Sequence, residues 1–205
     1  MKKESFFKTR IYPIIFMVVL TLVFISVVSG IYLSTKELVL LNESIFEKKA
    51  VLYAAGIDYP EDDTQKIEAV YEERVREVGG EEGRPSYFIV SLPSGETGYV
   101  VYTSGAGLWG EIVALFGLKT DMQTLTGVEF VQQNETPGLG ARITEDWFKQ
   151  QFRGKEGPFT MVEEGTADEP DELDAITGAT RTSTAVLKIA NNVFEVAEAK
   201  IKEGN

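Results

Sequence analysis

The chain has 205 residues, a formal net charge of −12, and neither cysteine nor histidine. Without thiolate or imidazole groups it lacks the usual ligands of iron–sulfur clusters, haem and zinc, and it cannot build a histidine-based hydrolytic triad. The acidic balance disfavours nucleic acid as a partner, because a phosphate-binding surface is basic. We therefore expect no thiolate- or imidazole-bound metal and no histidine acid–base catalysis, and any redox activity requires an organic cofactor.

The first predicted element is the uncharged apolar segment 11–34. A membrane-spanning helix needs about 20 apolar residues, so this segment is long enough. It is preceded by four basic residues and one acidic residue: Lys2, Lys3, Lys8, Arg10 and Glu4. The positive-inside rule then predicts a cytoplasmic N-terminus (1–10), a single transmembrane helix (11–34) in the cell (inner) membrane and an extracytoplasmic domain (35–205). A cleaved signal peptide is the alternative, although its apolar core is normally only about 7 to 15 residues long.

The remaining pattern predicts one α+β domain, an antiparallel sheet with flanking helices. In chain order we expect helices over 37–55 and 64–78, paired strands over 87–92 and 98–103, and a second pair over 112–118 and 125–132. A short helix over 144–152, a strand over 159–163 and a terminal helix from Thr180 complete the domain. The acidic runs 61–63 and 168–172 are either cation sites or solvated loops, and solvated loops are the commoner case.

A glycine-rich segment, Gly-Ala-Gly-Leu-Trp-Gly, occupies residues 105–110. It is not a nucleotide P-loop, because no Gly-Lys-Ser/Thr follows and the chain continues into a strand. Trp109 either packs in the core or lies against a bound cofactor.

A second glycine-containing segment, Glu-Thr-Pro-Gly-Leu-Gly, occupies residues 135–140. Pro137 fixes one backbone dihedral and Gly138 permits conformations closed to other residues, which predicts a rigid loop that holds Leu139 outward. A plain turn explains the Pro-Gly pair alone.

The third segment, Asp-Ala-Ile-Thr-Gly-Ala-Thr-Arg-Thr, occupies residues 174–182. Gly178 allows a close approach of the backbone, and Ala179 keeps the path to the neighbouring hydroxyls narrow. Thr180 is predicted to lie near the N-cap of the terminal helix, where the free amides of the first turn favour an anion. A capped loop with no ligand is the alternative.

Together the three segments resemble the FMN-binding subunits of ion-pumping respiratory complexes: NqrC of the sodium-translocating NADH:quinone reductase and RnfG of the Rnf complex. In that family an Asp precedes Ser/Thr-Gly-Ala-Thr-x-Thr/Ser, as Asp174 does here, and the last hydroxyl carries FMN. The segment 135–140 is similar to the one that wraps the flavin. Family members often carry a histidine near this glutamate, where this chain has Gln133 and Asn134.

The resemblance implies FMN joined by a phosphoester to Thr182. It also implies two sets of surrounding residues: Thr177, Gly178, Ala179, Thr180 and Arg181 around the phosphate, and Glu135, Thr136, Leu139 and Trp109 against the cofactor. Asp174 is expected to serve recognition by the enzyme that attaches the flavin.

The function implied is that of a membrane-anchored subunit that relays electrons within an ion-translocating, NADH-linked oxidoreductase complex. Its expected partners are integral-membrane, flavin and iron–sulfur subunits of the same complex, and a flavin transferase during maturation. Two alternatives stay open, a stand-alone extracytoplasmic flavoenzyme and a non-redox anchored scaffold module.

Overall fold

The computed structural model describes residues 10–80 and 85–203 and divides into a first unit that ends at Ser44 and a second that begins at Ile45. The basic residues Lys2, Lys3 and Lys8 lie outside the described residues. Helix α1, Tyr12–Ala54, is continuous over 43 residues, whereas the sequence predicted two separate segments. Proline occurs only in its first turn, where the missing N–H costs no helical hydrogen bond.

The first unit consists of the apolar part of α1. By length and composition this helix is able to cross a membrane, and its most apolar stretch is exposed throughout. A long apolar surface of this kind is costly in water and favourable in a bilayer. The protein therefore carries one helix suited to membrane anchoring among its described residues.

The second unit begins with the last turns of α1, in which Ala50, Val51, Leu52 and Ala54 are buried. Helix α2, Thr64–Arg74, follows. The side chain of Asp63 caps it by accepting a hydrogen bond from the Lys66 amide at 3.1 Å.

A five-stranded antiparallel sheet forms the centre of this unit, with its strands in chain order: β1 Val75–Val78, β2 Tyr87–Ser91, β3 Thr97–Ala106, β4 Glu111–Lys119 and β5 Leu125–Gln132. The four strands predicted as two hairpins are present. The prediction that the second helix extends to Val78 was wrong, because Val75 and Val78 pair with Val90 and Tyr87 of β2. Edge pairing of this kind depends on a partner strand that local periodicity does not reveal.

The C-terminal part contains a 3-10 helix, Gly140–Thr144, and the short helix α3, Asp146–Gln150. Strands β6, Thr160–Val162, and β7, Glu172–Asp174, form a small parallel pair, of which the sequence predicted only the first. Helix α4, Thr180–Glu203, starts where the sequence predicted.

The sheet has a separate apolar core on each face. One face packs against α3 and α4 and contains a chain of aromatic contacts among Phe116, Phe148, Phe152 and Phe159. The opposite face packs against α2 and the end of α1. Since successive strand residues point to opposite faces, β4 is buried on both. The unit is an α+β domain, an antiparallel sheet with flanking helices, as predicted.

Candidate functional site

Three segments singled out in the sequence meet at one place: the turn 107–110 between β3 and β4, the loop 135–140 after β5, and the start of α4. The side chain of Glu135 joins them. Its Oε1 accepts hydrogen bonds from the amides of Leu108 at 2.8 Å and Trp109 at 3.1 Å. Its Oε2 accepts a hydrogen bond from Oγ1 of Thr182 at 2.5 Å.

Glu135 is an unusual carboxylate for its surroundings, because the residue is only 5% exposed. Among the described residues, no lysine or arginine forms an ion pair with it. Buried carboxylates are normally paired with a cation or held by several donors, and this one is held by two amides and a hydroxyl. A buried carboxylate without a cation marks a candidate functional position.

Thr182 lies in the first turn of α4 and is 1% exposed. The turn is fixed by Ser183, whose Oγ accepts from the Ile176 amide at 3.0 Å and donates to the Ala179 carbonyl at 3.1 Å. These contacts hold the Thr182 hydroxyl against Glu135.

Thr180 was predicted to lie near the N-cap of α4, and it directly follows the capping residue. The carbonyl of Ala179 accepts the first helical hydrogen bond, from the Ser183 amide at 3.0 Å, which makes Ala179 the capping residue. Thr180 is the first helical residue and its side chain is exposed. The side chain of Ser183 accepts from the Ile176 amide and so closes the turn at 177–178 from inside the helix.

Large apolar side chains are exposed around this junction. Outside α1, the described residues include three that are more than 40% exposed: Leu108 at 42%, Trp109 at 68% and Leu139 at 43%. All three belong to the two loops that Glu135 connects. The indole Nε1 of Trp109 donates to Oγ1 of Thr136 at 3.1 Å, which ties the loops together a second time.

Gly178 and Leu139 are neighbours on this rim. Gly178 has a φ of +79°, which favours glycine, and a Cβ at this position would lie 3.2 Å from Leu139 Cδ2. The next residue back, Thr177, donates its amide to Oε2 of Glu164 at 2.7 Å. The turn at 177–178 therefore contacts the loop 135–140 on one side and Glu164 on the other.

Glu164 also pairs with Arg142, whose Nη2 lies 3.1 Å from its Oε1. The Arg142 guanidinium, with the Thr177 amide, lowers the pKa of Glu164 to about 2 from its ordinary value of 4.5. Sequence analysis missed this pair, because the two residues are 22 positions apart and neither belongs to a recognisable motif.

Asp174 is bound to a neighbouring turn. Its Oδ1 accepts from the amides of Thr166 at 2.9 Å and Ala167 at 3.0 Å, and its own amide donates to Oε1 of Gln151 at 2.6 Å. These contacts give Asp174 a structural role in positioning the turn at 177–178.

A groove of about 380 Å³ opens beside the first turns of α4. Two cations line it, Arg181 and Lys188, and neither is in an ion pair with a described residue. Lys188 was missed in the sequence, although its spacing of seven residues from Arg181 puts both on one helix face. The amides of residues 180–182 precede the first helical donor, the Ser183 amide, and give the same end of the helix a positive potential.

These features fit a flat, anionic cofactor. The helix start and Arg181 suit a phosphate group, and the apolar rim suits an aromatic ring system. The backbone packs closely against the Glu135 carboxylate, since a Cβ at Gly107 would lie 2.5 Å from Glu135 Oε1.

Comparison with known proteins identifies the same region. Residues 107–195 match the FMN-binding domain family, which supports FMN as the cofactor. The chain is 34% identical over 139 residues to the RnfG protein of the Na⁺-translocating ferredoxin:NAD⁺ oxidoreductase complex of Acetobacterium woodii, covering 63% of this chain and 66% of that protein. It is 41% identical over 83 residues to the NqrC protein of the Na⁺-translocating NADH-quinone reductase of Chlamydia pneumoniae, covering 39% of this chain and 26% of that protein.

The fold is also that of a solved structure. The crystal structure of NqrC of the Na⁺-translocating NADH-quinone reductase from Parabacteroides distasonis superimposes with a TM-score of 0.68 at 24% identity, covering 83% of this chain and 98% of that one. The matched part spans slightly under two thirds of the Acetobacterium protein and about a quarter of the Chlamydia protein. The chain therefore carries an FMN-binding domain over residues 107–195 and is similar to the RnfG and NqrC subunits of these complexes.

Proposed function

We propose that this protein is a membrane-anchored flavoprotein subunit that relays electrons within an ion-translocating oxidoreductase complex of the Rnf or NADH-quinone reductase type. The observation that carries the proposal is the contact of the Thr182 hydroxyl with Glu135 at the base of an exposed apolar rim. Such a junction has the hydroxyl, the helix start and the ring-sized apolar surface that a tethered flavin requires.

FMN is attached through its phosphate to Thr182. Support comes from the position of this hydroxyl in the first turn of α4, where free amides and the helix dipole favour negative charge. Arg181 adds a cation at the same helix end. Thr177, Gly178, Ala179 and Thr180 form the backbone around the phosphate.

The isoalloxazine ring lies against the rim formed by Leu108, Trp109 and Leu139, with Thr136 between the two loops. These side chains exclude water from one ring face and, by their contacts, tune the flavin's reduction potential. The bound FMN supplies the electron chemistry that the chain lacks, since it has no cysteine or histidine.

In the membrane, residues 11–34 span the bilayer, 1–10 face the cytoplasm and 35–205 form the extracytoplasmic domain. Support comes from the exposed apolar surface of α1. The partners are integral-membrane, flavin and iron–sulfur subunits of one complex. A flavin transferase that uses a flavin dinucleotide attaches the cofactor. Asp174 positions the turn that the transferase recognises.

The attachment is tested by producing the full chain beside an active flavin transferase and measuring the mass of the denatured protein. The wild-type chain should gain one FMN, Thr182→Ala should gain none, and Thr182→Ser should recover at least part of the label. Thr184→Ala is the matched control, because Thr184 is an exposed threonine two residues further along the same helix and its alanine variant should be labelled normally. Full labelling of Thr182→Ala would refute the site.

The relay role is tested by purifying the labelled protein in mild detergent. Integral-membrane partners should copurify with it. A labelled protein that copurifies with none and reduces a soluble acceptor would instead be a stand-alone flavoenzyme.

A further inference from the structure

Helix α4 offers three threonine hydroxyls within its first five residues: Thr180, Thr182 and Thr184. We propose that Glu135 selects Thr182 among them and takes its proton when the phosphoester forms. The inference rests on the proposed function. It means that the protein that receives the flavin itself supplies a residue that selects the attachment site and acts as the catalytic base.

Accessibility alone would select the wrong residues. Thr180 and Thr184 are exposed, whereas Thr182 is 1% exposed. A reaction governed by access would therefore label the outer two hydroxyls, so another property must distinguish Thr182.

The distinguishing property is the acceptor of each hydroxyl proton. The Thr184 hydroxyl donates to the backbone carbonyl of Thr180 at 2.8 Å, and a carbonyl is too weak a base to take the proton. The Thr182 hydroxyl donates to the carboxylate of Glu135 at 2.5 Å. A carboxylate within hydrogen-bond reach of a hydroxyl is the geometry of a general base beside its nucleophile.

The two oxygens of Glu135 have separate roles. Oε1 is held by the amides of Leu108 and Trp109, which fix the carboxylate on the turn 107–110. Oε2 faces Thr182. The base is therefore positioned by a segment that lies outside the acceptor helix.

This arrangement accounts for how a covered hydroxyl can react. Gly140 lies over it, since a Cβ at Gly140 would be 2.6 Å from Thr182 Oγ1. Movement of the segment 138–140 would uncover the hydroxyl, while Glu135 keeps its bonds to Leu108 and Trp109 and stays beside Thr182.

The step balances without any redox change. A bond forms between Thr182 Oγ1 and the phosphorus of the FMN half of a flavin dinucleotide. The pyrophosphate bond breaks, AMP leaves with the bonding electrons, and the hydroxyl proton passes to Oε2 of Glu135. The transferase contributes the bound dinucleotide and its activation.

The test uses the full-length chain in detergent, purified without flavin and then incubated with transferase and flavin adenine dinucleotide. Glu135→Gln keeps the side-chain size and an oxygen for the amides of Leu108 and Trp109 but cannot take a proton. We expect its attachment rate to fall by about 10²-fold, the usual contribution of a general base. Peptide mapping should find the residual label spread to Thr180 or Thr184.

The matched control is Glu111→Gln, which removes a carboxylate bonded to Ser104 beside the same turn. It should keep the wild-type rate and site. Label on Thr182 of Glu135→Gln at the wild-type rate would overturn the role of Glu135. Absence of label on the wild-type chain would instead refute the proposed function, so the two failures are distinguishable. Glu135→Asp, with a shorter carboxylate, should label Thr182 faster than Glu135→Gln but more slowly than the wild type, and a rate no higher than that of Glu135→Gln would also count against a base.

Discussion

A Cβ atom at Gly140 would lie 2.6 Å from Oγ1 of Thr182, and 2.9 Å from Oε2 of Glu135. Gly140→Ala should therefore displace the hydroxyl or the carboxylate. We expect a loss of about 1–3 kcal/mol of stability from overpacking and a marked fall in flavin attachment, measured by urea unfolding and by protein mass.

Gly105→Ala is the control for this prediction. Its Cβ would meet Ile189 Cγ1 at 2.7 Å, a contact of the same closeness with an apolar side chain. It should lower stability and leave attachment normal. Equal flavin attachment in both alanine variants would mean that the space at Gly140 does not affect the reaction of the Thr182 hydroxyl.

Leu139→Asp should leave FMN attached but shift its reduction potential and change its fluorescence, because a charge replaces an apolar contact with the ring. Leu139→Met keeps the apolar character and should leave both properties near those of the wild type. Spectroelectrochemistry of the labelled proteins measures the shift. An unchanged potential in Leu139→Asp would put this loop away from the flavin.

At the start of α4, the serine and not the exposed threonine should control stability. Ser183→Ala leaves the buried Ile176 amide without its partner, which costs about 1–3 kcal/mol. Thr180→Ala should change stability by less than about 0.5 kcal/mol, because its side chain is exposed and Ala179 is the cap. Chemical unfolding of the two variants decides the matter, and a larger loss for Thr180→Ala would contradict the observed helix start.

Glu164 should make the domain sensitive to acid. Its folded pKa of about 2 lies below its ordinary value of 4.5, so its contribution is fully present above pH 4.5 and is lost as the pH falls towards 2. Glu164→Gln should be less stable than the wild type at neutral pH, and the difference should shrink across that window. Glu163→Gln, an exposed neighbour, should show no such convergence in thermal unfolding.

Truncation should separate the two parts of α1. Deletion of residues 1–33 removes exposed apolar helix and should leave a folded domain. Deletion of residues 1–55 also removes Val51, Leu52 and Ala54, which are fully buried. Because each large buried side chain contributes about 2–5 kcal/mol and a domain has only about 5–15 kcal/mol in total, the shorter fragment should not fold. Circular dichroism and chymotrypsin resistance measure this, and a folded shorter fragment would contradict the packing.

The sequence predicted the elements whose signals are local. The apolar, strand-like runs of β2 to β5 and the periodicity of α4 were sufficient, because each element carries its own pattern. Strands β1 and β7 were missed because they are short and exist through their partners: Val75 opposite Val90, and Leu173 opposite Met161.

The same division applies to the candidate site. The motifs pointed separately to Glu135 and to Thr182, but their contact joins residues 47 positions apart and could not be read from either segment. The role of Ser183 was missed for a related reason, since its bond to the Ile176 amide exists only when the preceding turn folds back on the helix.

The order of the strands has a consequence for folding. Strands β1 to β5 pair in sequence, so the sheet can assemble from successive hairpins, whereas α4 comes from the end of the chain and packs on β3. Long-range contacts of this kind form late, after the loop-closure entropy has been overcome. An incompletely folded chain therefore carries Thr182 apart from Glu135, and we expect cofactor loading to report that folding has finished.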